Sequence, residues 1–148
     1  MADSRADQIL NFRFQVEIDS ITVAGFSEVS GFEETIETED YREGGGHFVH
    51  KLPKAITYST LKLKRGMSVD DQLWRWFAGC RDAVLYGKGL EKKSIKVTVL
   101  DEIRESQTYF SFTNAYPIKW SGSTLSATSG AIAIEELEIA HEGMIRSR

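Results

Sequence analysis

From Phe12 to Asp19 the chain alternates without exception: Phe12, Phe14, Val16 and Ile18 are apolar, and Arg13, Gln15, Glu17 and Asp19 are polar. A period of two is the mark of a β-strand with one buried and one wet face. A helix cannot gather that pattern on one side, so the rest of the chain has to supply a complementary layer. Thr60–Arg65 repeats the pattern, with Leu61 and Leu63 predicted inward and Lys62 and Lys64 outward, and stops at Gly66. Ser94–Leu100 repeats it with Ile95, Val97 and Val99 inward. Ile21–Phe26 is predicted as a short strand, with a bend or bulge where Gly25 and Gly31 punctuate Val23, Phe26, Val29 and Phe32.

Asp101–Glu102 is expected to open a turn before an aromatic strand at Tyr109–Phe112. Pro117 should interrupt it, with Ile118 and Trp120 resuming the apolar face. After a Ser/Thr/Gly-rich loop at 121–130, the last strand is predicted to bury Ile132 and Ile134, then Leu137 and Ile139. The change of parity across Glu135 and Glu136 predicts a β-bulge.

One segment reads as a helix, 68–86. Ser68 is the expected N-cap, with Asp70 and Asp71 in the first turn, where the helix dipole favours carboxylates. Val69, Leu73, Trp76, Phe77, Cys80 and Val84 make the apolar stripe, and Gly87 and Gly89 end it. Asp71, Arg75 and Asp82 lie on the opposite face.

Glu33–Glu43 has six acidic residues in eleven, yet Thr35, Ile36, Thr38 and Tyr41 favour strand. Neither face of such an extended segment is built for burial, so water or another subunit must meet both. Gly44-Gly45-Gly46 allows a reversal, and His47–Leu52 with Ile56–Tyr58 form the returning arm. Pro53 lacks a backbone donor and suits an edge. A long projecting hairpin at 33–58 is the expectation.

The sum is a mainly β protein: an antiparallel β-sandwich or barrel of seven or eight strands with one flanking α-helix. The 148 residues, 41% hydrophobic, suit one domain with one core. The formal charge of −4, from 22 acidic against 18 basic residues, disfavours a surface built to grip phosphates. Cys80 is the only cysteine, so no intrachain disulfide can form and a reducing cytoplasm is the expected folding compartment. The N-terminus shows no signal-peptide pattern, and no run approaches the ~20 apolar residues of a membrane helix.

The chemistry-bearing residues do not converge. His47 and His50, three apart on a strand, point to opposite faces, and His141 has Glu142 beside it but no metal-ligand pattern. Cys80, on the apolar stripe, reads as a small hydrophobe and not as a nucleophile. The pairs Glu33-Glu34, Glu39-Asp40, Asp70-Asp71 and Glu135-Glu136 mostly sit in polar runs, whereas a general acid needs desolvation. Gly44-Gly45-Gly46 lacks the Gly-Lys-Ser/Thr ending of a phosphate loop. Lys92-Lys93 and the Lys62, Lys64, Arg65 group are basic spots without stacked aromatics between them. No catalytic, cofactor or metal site is expected.

The order of short motifs is more specific. Phe14-Gln15-Val16-Glu17-Ile18, Ala24-Gly25-Phe26-Ser27-Glu28-Val29-Ser30-Gly31, Tyr41-Arg42-Glu43-Gly44-Gly45, Lys51-Leu52-Pro53 and Leu63-Lys64-Arg65-Gly66 come first. Leu73-Trp74, Asn114-Ala115-Tyr116-Pro117 and Ile134-Glu135 to Ala140-His141-Glu142-Gly143 follow. Over nearly its whole length the chain resembles the phage tail tube family, which includes inner-tube proteins of contractile injection systems. It departs at Ser123-Thr124-Leu125-Ser126, where Pro and Asn are frequent, at Ser129-Gly130-Ala131, and at Tyr116, where a Trp usually precedes the Pro.

The resemblance implies a structural subunit, six to a ring, whose strands join into a ring-wide β-barrel and whose rings stack into a hollow tube inside a contractile sheath. The expected inter-ring or subunit contacts are Tyr41, Arg42, Glu43, Gly44, Gly45, His50, Lys51, Leu52, Pro53, His141 and Glu142. The expected lumen residues are Thr35, Glu37 and Glu39, whose charge would keep DNA or acidic cargo from sticking. The implied partners are further copies, sheath, baseplate or hub and tube-capping proteins, with assembly in the cytoplasm. The helix face with Asp71, Arg75 and Asp82 would look to the sheath or a neighbouring subunit. The alternatives are a tube-initiating, baseplate-proximal paralogue that forms a ring without polymerising, a small-molecule carrier barrel, and an enzyme.

Overall fold

The computed structural model describes residues 12–23, 25–67, 70–101, 106–128, 130 and 133–147. Its strands are β1 (Phe12–Ile18), β2 (Ile21–Val23), β3 (Phe26–Ser30), β4 (Glu34–Arg42), β5 (Val49–Tyr58) and β6 (Leu61–Gly66), followed after helix α1 (Gln72–Tyr86) by β7 (Lys93–Asp101), β8 (Ser106–Gly122), β9 (Ile134–Ala140) and β10 (Met144–Ser147). Eight strands form one sheet in the order β2-β1-β7-β8-β9-β6-β3, with β10 also on β8, while among the described residues β4 and β5 pair only with each other. Every pairing is antiparallel. The mainly β architecture with one helix is the one the alternation predicts.

The long strand β8 holds the sheet together. Its first part pairs with β7 and β10, and its last part with β9. Asn114 takes a φ of 49° between them, and the register shifts again between Pro117 and Lys119. Pro117 therefore bends the strand without interrupting it, and the irregularity turns Ile118 outward.

Both halves of the sheet feed one hydrophobic cluster. Val16, Ile18, Ile95, Val97 and Phe112 come from one half, Leu61, Leu63, Leu137 and Ile139 from the other, and Leu73, Trp76 and Cys80 from α1. Each such side chain stabilises the fold by roughly 1.5–3 kcal/mol relative to exposure.

The stretch predicted as one strand, Ile21–Phe26, is split. β2 closes a two-residue hairpin with β1, with Asp19 and Ser20 at positive φ, whereas β3 crosses to the far edge and pairs with β6. Gly31, with a φ of 101°, follows β3, and a Cβ there would lie 2.0 Å from the Thr60 carbonyl oxygen. Only glycine fits that crossing of two backbones.

The helix begins four residues later than expected. Ser68 and Val69 lie outside the described residues, and Asp70 and Asp71 stand before the first turn instead of in it. Asp70 Oδ1 accepts the Gln72 N–H (3.0 Å), and the Asp71 carbonyl accepts the first helical bond, from Arg75 (2.9 Å). Gly87 ends the helix in a left-handed conformation. The buried stripe is Leu73, Trp76, Cys80 and Ala83, and Val84 is exposed.

The predicted bulge at Glu135–Glu136 is absent. β9 alternates evenly, so Glu135, Leu137 and Ile139 point inward and Ile134 is exposed. Glu135 is buried because it pairs with Arg65, opposite it on β6. Asp101, expected in a turn, is the buried last residue of β7, and Ile132, Glu102 and the Phe12 side chain lie outside the described residues.

Candidate assembly surfaces

The residues that sequence reading singled out concentrate on the β4–β5 ribbon. The register runs from Glu34 opposite Tyr58 to Arg42 opposite Val49, with one shift where Lys54 has no partner between Pro53 and Ala55. All ribbon residues except Val49 are exposed. A lone two-stranded ribbon is marginally stable in water.

Alternation sorts its side chains. Thr35, Glu37, Glu39 and Tyr41 share one face with Thr57, Ala55, Leu52 and His50. The Tyr41 and His50 rings lie 6.4 Å apart. The other face carries Ile36 opposite Ile56, Thr38 opposite Pro53, and Asp40 bonded to Lys51 Nζ at 2.5 Å. The lumen candidates Thr35, Glu37 and Glu39 thus share a face with the contact candidates Tyr41, His50 and Leu52, while Arg42, Lys51 and Pro53 lie on the reverse. Glu43, Gly44 and Gly45 form the tip, where Gly46 N–H donates to the Glu43 carbonyl (3.0 Å). His47 precedes β5, so it and His50 do not share a strand.

His141 and Glu142 sit apart, where β9 turns into β10. Gly143 N–H donates to His141 Nδ1 (3.3 Å), so Nε2 is the ring's donor, and it reaches the Ser59 carbonyl at the foot of the ribbon (3.0 Å). The ring also meets Tyr58 (5.5 Å) and Phe112 (4.8 Å, edge-on). Glu142 accepts from Asn114 Nδ2 (2.8 Å) and Lys92 Nζ (3.1 Å), and these bonds hold its carboxyl below the ordinary range. Both residues therefore serve contacts within the chain.

Sequence reading missed the buried Arg65–Glu135 pair, each residue 3% exposed. Arg65 Nε donates to Glu135 Oε1 (2.6 Å), Trp120 Nε1 donates to Glu135 Oε2 (3.2 Å), and Arg65 Nη2 donates to the Asp70 carbonyl (3.2 Å). Both carboxylate oxygens are satisfied, and the pair ties β6 and β9 to the entry of α1.

Burial raises the Cys80 thiol above its usual value, with the nearby Glu91 adding to it, so the thiolate is disfavoured. The basic spots do have aromatic faces: Lys92 lies over Tyr116 (6.0 Å) and Lys93 over Trp76 (5.4 Å). Among the described residues no group of three or more His, Cys, Asp or Glu is placed to hold a metal ion, and no helix is long and apolar enough to cross a membrane.

Three comparisons bear on this arrangement. No curated protein sequence matches the chain. In fold it is similar to a chain of the sheath-tube complex of an extracellular contractile injection system, PVC, in the extended state: TM-score 0.81, 22% identity, 99% of each chain covered. It is also similar to a chain of the anti-feeding prophage (AFP) tube terminating cap, with TM-score 0.81, 22% identity and 95% and 91% covered, and to Hcp1 from Flavobacterium johnsoniae, with TM-score 0.60, 13% identity and 90% and 93% covered. The family model for the T4-like virus tail tube protein gp19 matches residues 10–145. The chain belongs to the T4-like tail tube gp19 family, whose members are structural tube proteins and not enzymes.

Proposed function

We propose that this chain is the inner-tube subunit of a contractile, phage-tail-like injection system, assembling into six-membered rings that stack inside a sheath. The observation that carries the reading is the β4–β5 ribbon, which exposes both faces along its length. A neighbouring copy can supply the cover that the chain's own core does not. Open-ended, heterologous stacking uses such an arm without requiring the same surface on both partners. In this reading the whole chain is one tube-building unit, with 33–58 as its arm. The free edges of β2 and β3 are the joints through which neighbouring sheets close into a ring-wide barrel.

Tyr41, Arg42, Glu43, Gly44, Gly45, His50, Lys51, Leu52 and Pro53 are the proposed contacts of the arm, and His141, which bonds to Ser59 at the foot of the arm, and Glu142 are proposed contacts with a neighbouring copy as well. Thr35, Glu37 and Glu39 line the lumen, where their charge lets DNA or acidic cargo pass without specific binding. Sheath, baseplate and tube-capping proteins are the remaining partners, and assembly takes place in the cytoplasm. Likeness to a cap chain as well as to a sheath-tube chain supports a second reading, a ring that starts or closes the tube without extending it.

Negative-stain electron microscopy of the purified protein across a concentration series separates these outcomes. Hollow rings that stack into uniform tubes are expected. Rings that never stack favour the initiating or capping role, and a monomer at every concentration overturns both. A cryo-EM map with Glu37 and Glu39 on the outside removes the lumen assignment alone.

A further inference from the structure

The line of chain that runs opposite β8 is interrupted, and not finished, at Ala140. Ala140 pairs with Tyr116 and Met144 with Phe112, the same register on both sides of residues 141–143, so β9 and β10 are one line along β8. On its other side β9 is covered by β6, with Leu61 opposite Ile139. β10 has no such cover: among the described residues it pairs with β8 alone, and Ile145 is 63% exposed.

A segment of the chain matches that open edge. β5 runs into β6 through Ser59 and Thr60 only. Continued in the same register, the β6–β9 ladder places His141 opposite Ser59, Met144 opposite Ile56 and Ile145 opposite Ala55. The first of these steps is already made, because the His141 ring donates to the Ser59 carbonyl (3.0 Å) and meets Tyr58. Beyond that point β5 leaves. The bend lies where Gly31, at a φ of 101°, crosses the Thr60 backbone. The register of β3 on β6, Ser30 opposite Lys62, resumes unchanged in β4 on β5, Glu34 opposite Tyr58. The ribbon is thus the β3–β6 pair swung away at two short links.

We infer that β10 is a docking edge for β5 of the same chain, so that the arm has a folded-back position, zipped onto the sheet, besides the projecting one. β5 is the occupant the geometry favours, because it continues an existing ladder at a fixed register and is tethered close by, at high effective concentration. Folding back covers two open strand edges, of β10 and of β5, that otherwise serve as templates for unwanted pairing. The zipped arm is weakly held, since Lys54 would stand opposite Arg146, and like charges across a ladder destabilise it. For assembly, which rests on the tube reading above, a folded-back arm is withheld from the next copy until docking opens it.

Cysteine pairs test this in protein dilute enough to be monomeric. Ala55 and Ile145 are exposed and the native Cys80 is buried, so Ala55→Cys with Ile145→Cys leaves the core intact. Mild oxidation should close an intrachain disulfide, seen as a faster-migrating monomer, whereas the out-of-register pair Leu52→Cys with Ile145→Cys should stay open. The neighbouring pair Ile56→Cys with Met144→Cys should link as well. Adding Lys54→Glu should speed closure roughly threefold. Linked protein should form no tubes until a reductant is added.

Failure of both in-register pairs to link overturns the docking edge. Covalent dimers in place of the intrachain link also overturn it, since they seat a second copy there. Linked protein that still forms tubes overturns the arm's part in assembly. An intrachain link with no tubes in either redox state removes the tube reading and leaves the docking edge standing.

Discussion

Glu135 shows how far a single side chain can escape a sequence pattern. Its neighbours Ile134 and Glu136 suggest a break in parity, yet Glu135 itself faces the core and is held by Arg65 and Trp120. The partner lies seventy residues away in the chain, so no local window contains the reason for its burial. Removing one member of such a pair strands the other charge, and Glu135→Ala is expected to cost about 3–5 kcal/mol, read as a lower urea midpoint. Replacing both at once, Arg65→Met with Glu135→Leu, should recover most of that loss. A double variant as unstable as the single one would show that shape, and not charge, holds the site. Arg65 was as illegible as Glu135, because alternation reports a buried position without saying that a cation can fill it.

At the level of elements, the period-two segments were legible wherever one face meets the core. β1 and β6 follow the alternation of Phe14, Val16 and Ile18 and of Leu61 and Leu63, whereas β7 follows it only through Ile95 and Val97, after which Thr98 is buried and Val99 half-buried. The ribbon was legible for the opposite reason, since its acidic run offers no apolar face. The helix end was not, because Val84 continues the stripe arithmetically while the returning chain covers only the turns before it. On the ribbon, Ile36 and Ile56 are exposed and directly opposed, apolar side chains that pair across the ribbon but add nothing to the core. Replacing both with Ser should lower the stability of unassembled protein by no more than about 1 kcal/mol. Tube formation should be lost at concentrations where the parent assembles. If tubes form undiminished, that face of the ribbon is not a contact.

For the molecule as a whole, family, fold class and the hairpin were all within reach of the sequence, whereas the division of β2 and β3 between opposite edges of the sheet was not. Which edge a short strand joins depends on pairings with β1 and β6 that lie on either side of it in the chain. Assembly also links stability to concentration. Copies that bind one another only when folded should melt at a temperature that rises with protein concentration, by mass action. Calorimetry from dilute to concentrated protein checks this, and a constant melting temperature would mean that folding and assembly are uncoupled. Mechanically, the seventeen residues of β8 form a continuous beam, hydrogen-bonded into both halves of the sheet. Both halves are anchored on this one strand, so in the proposed tube a thrust along the axis would move each subunit as one block, with the compliance left to the seams between copies.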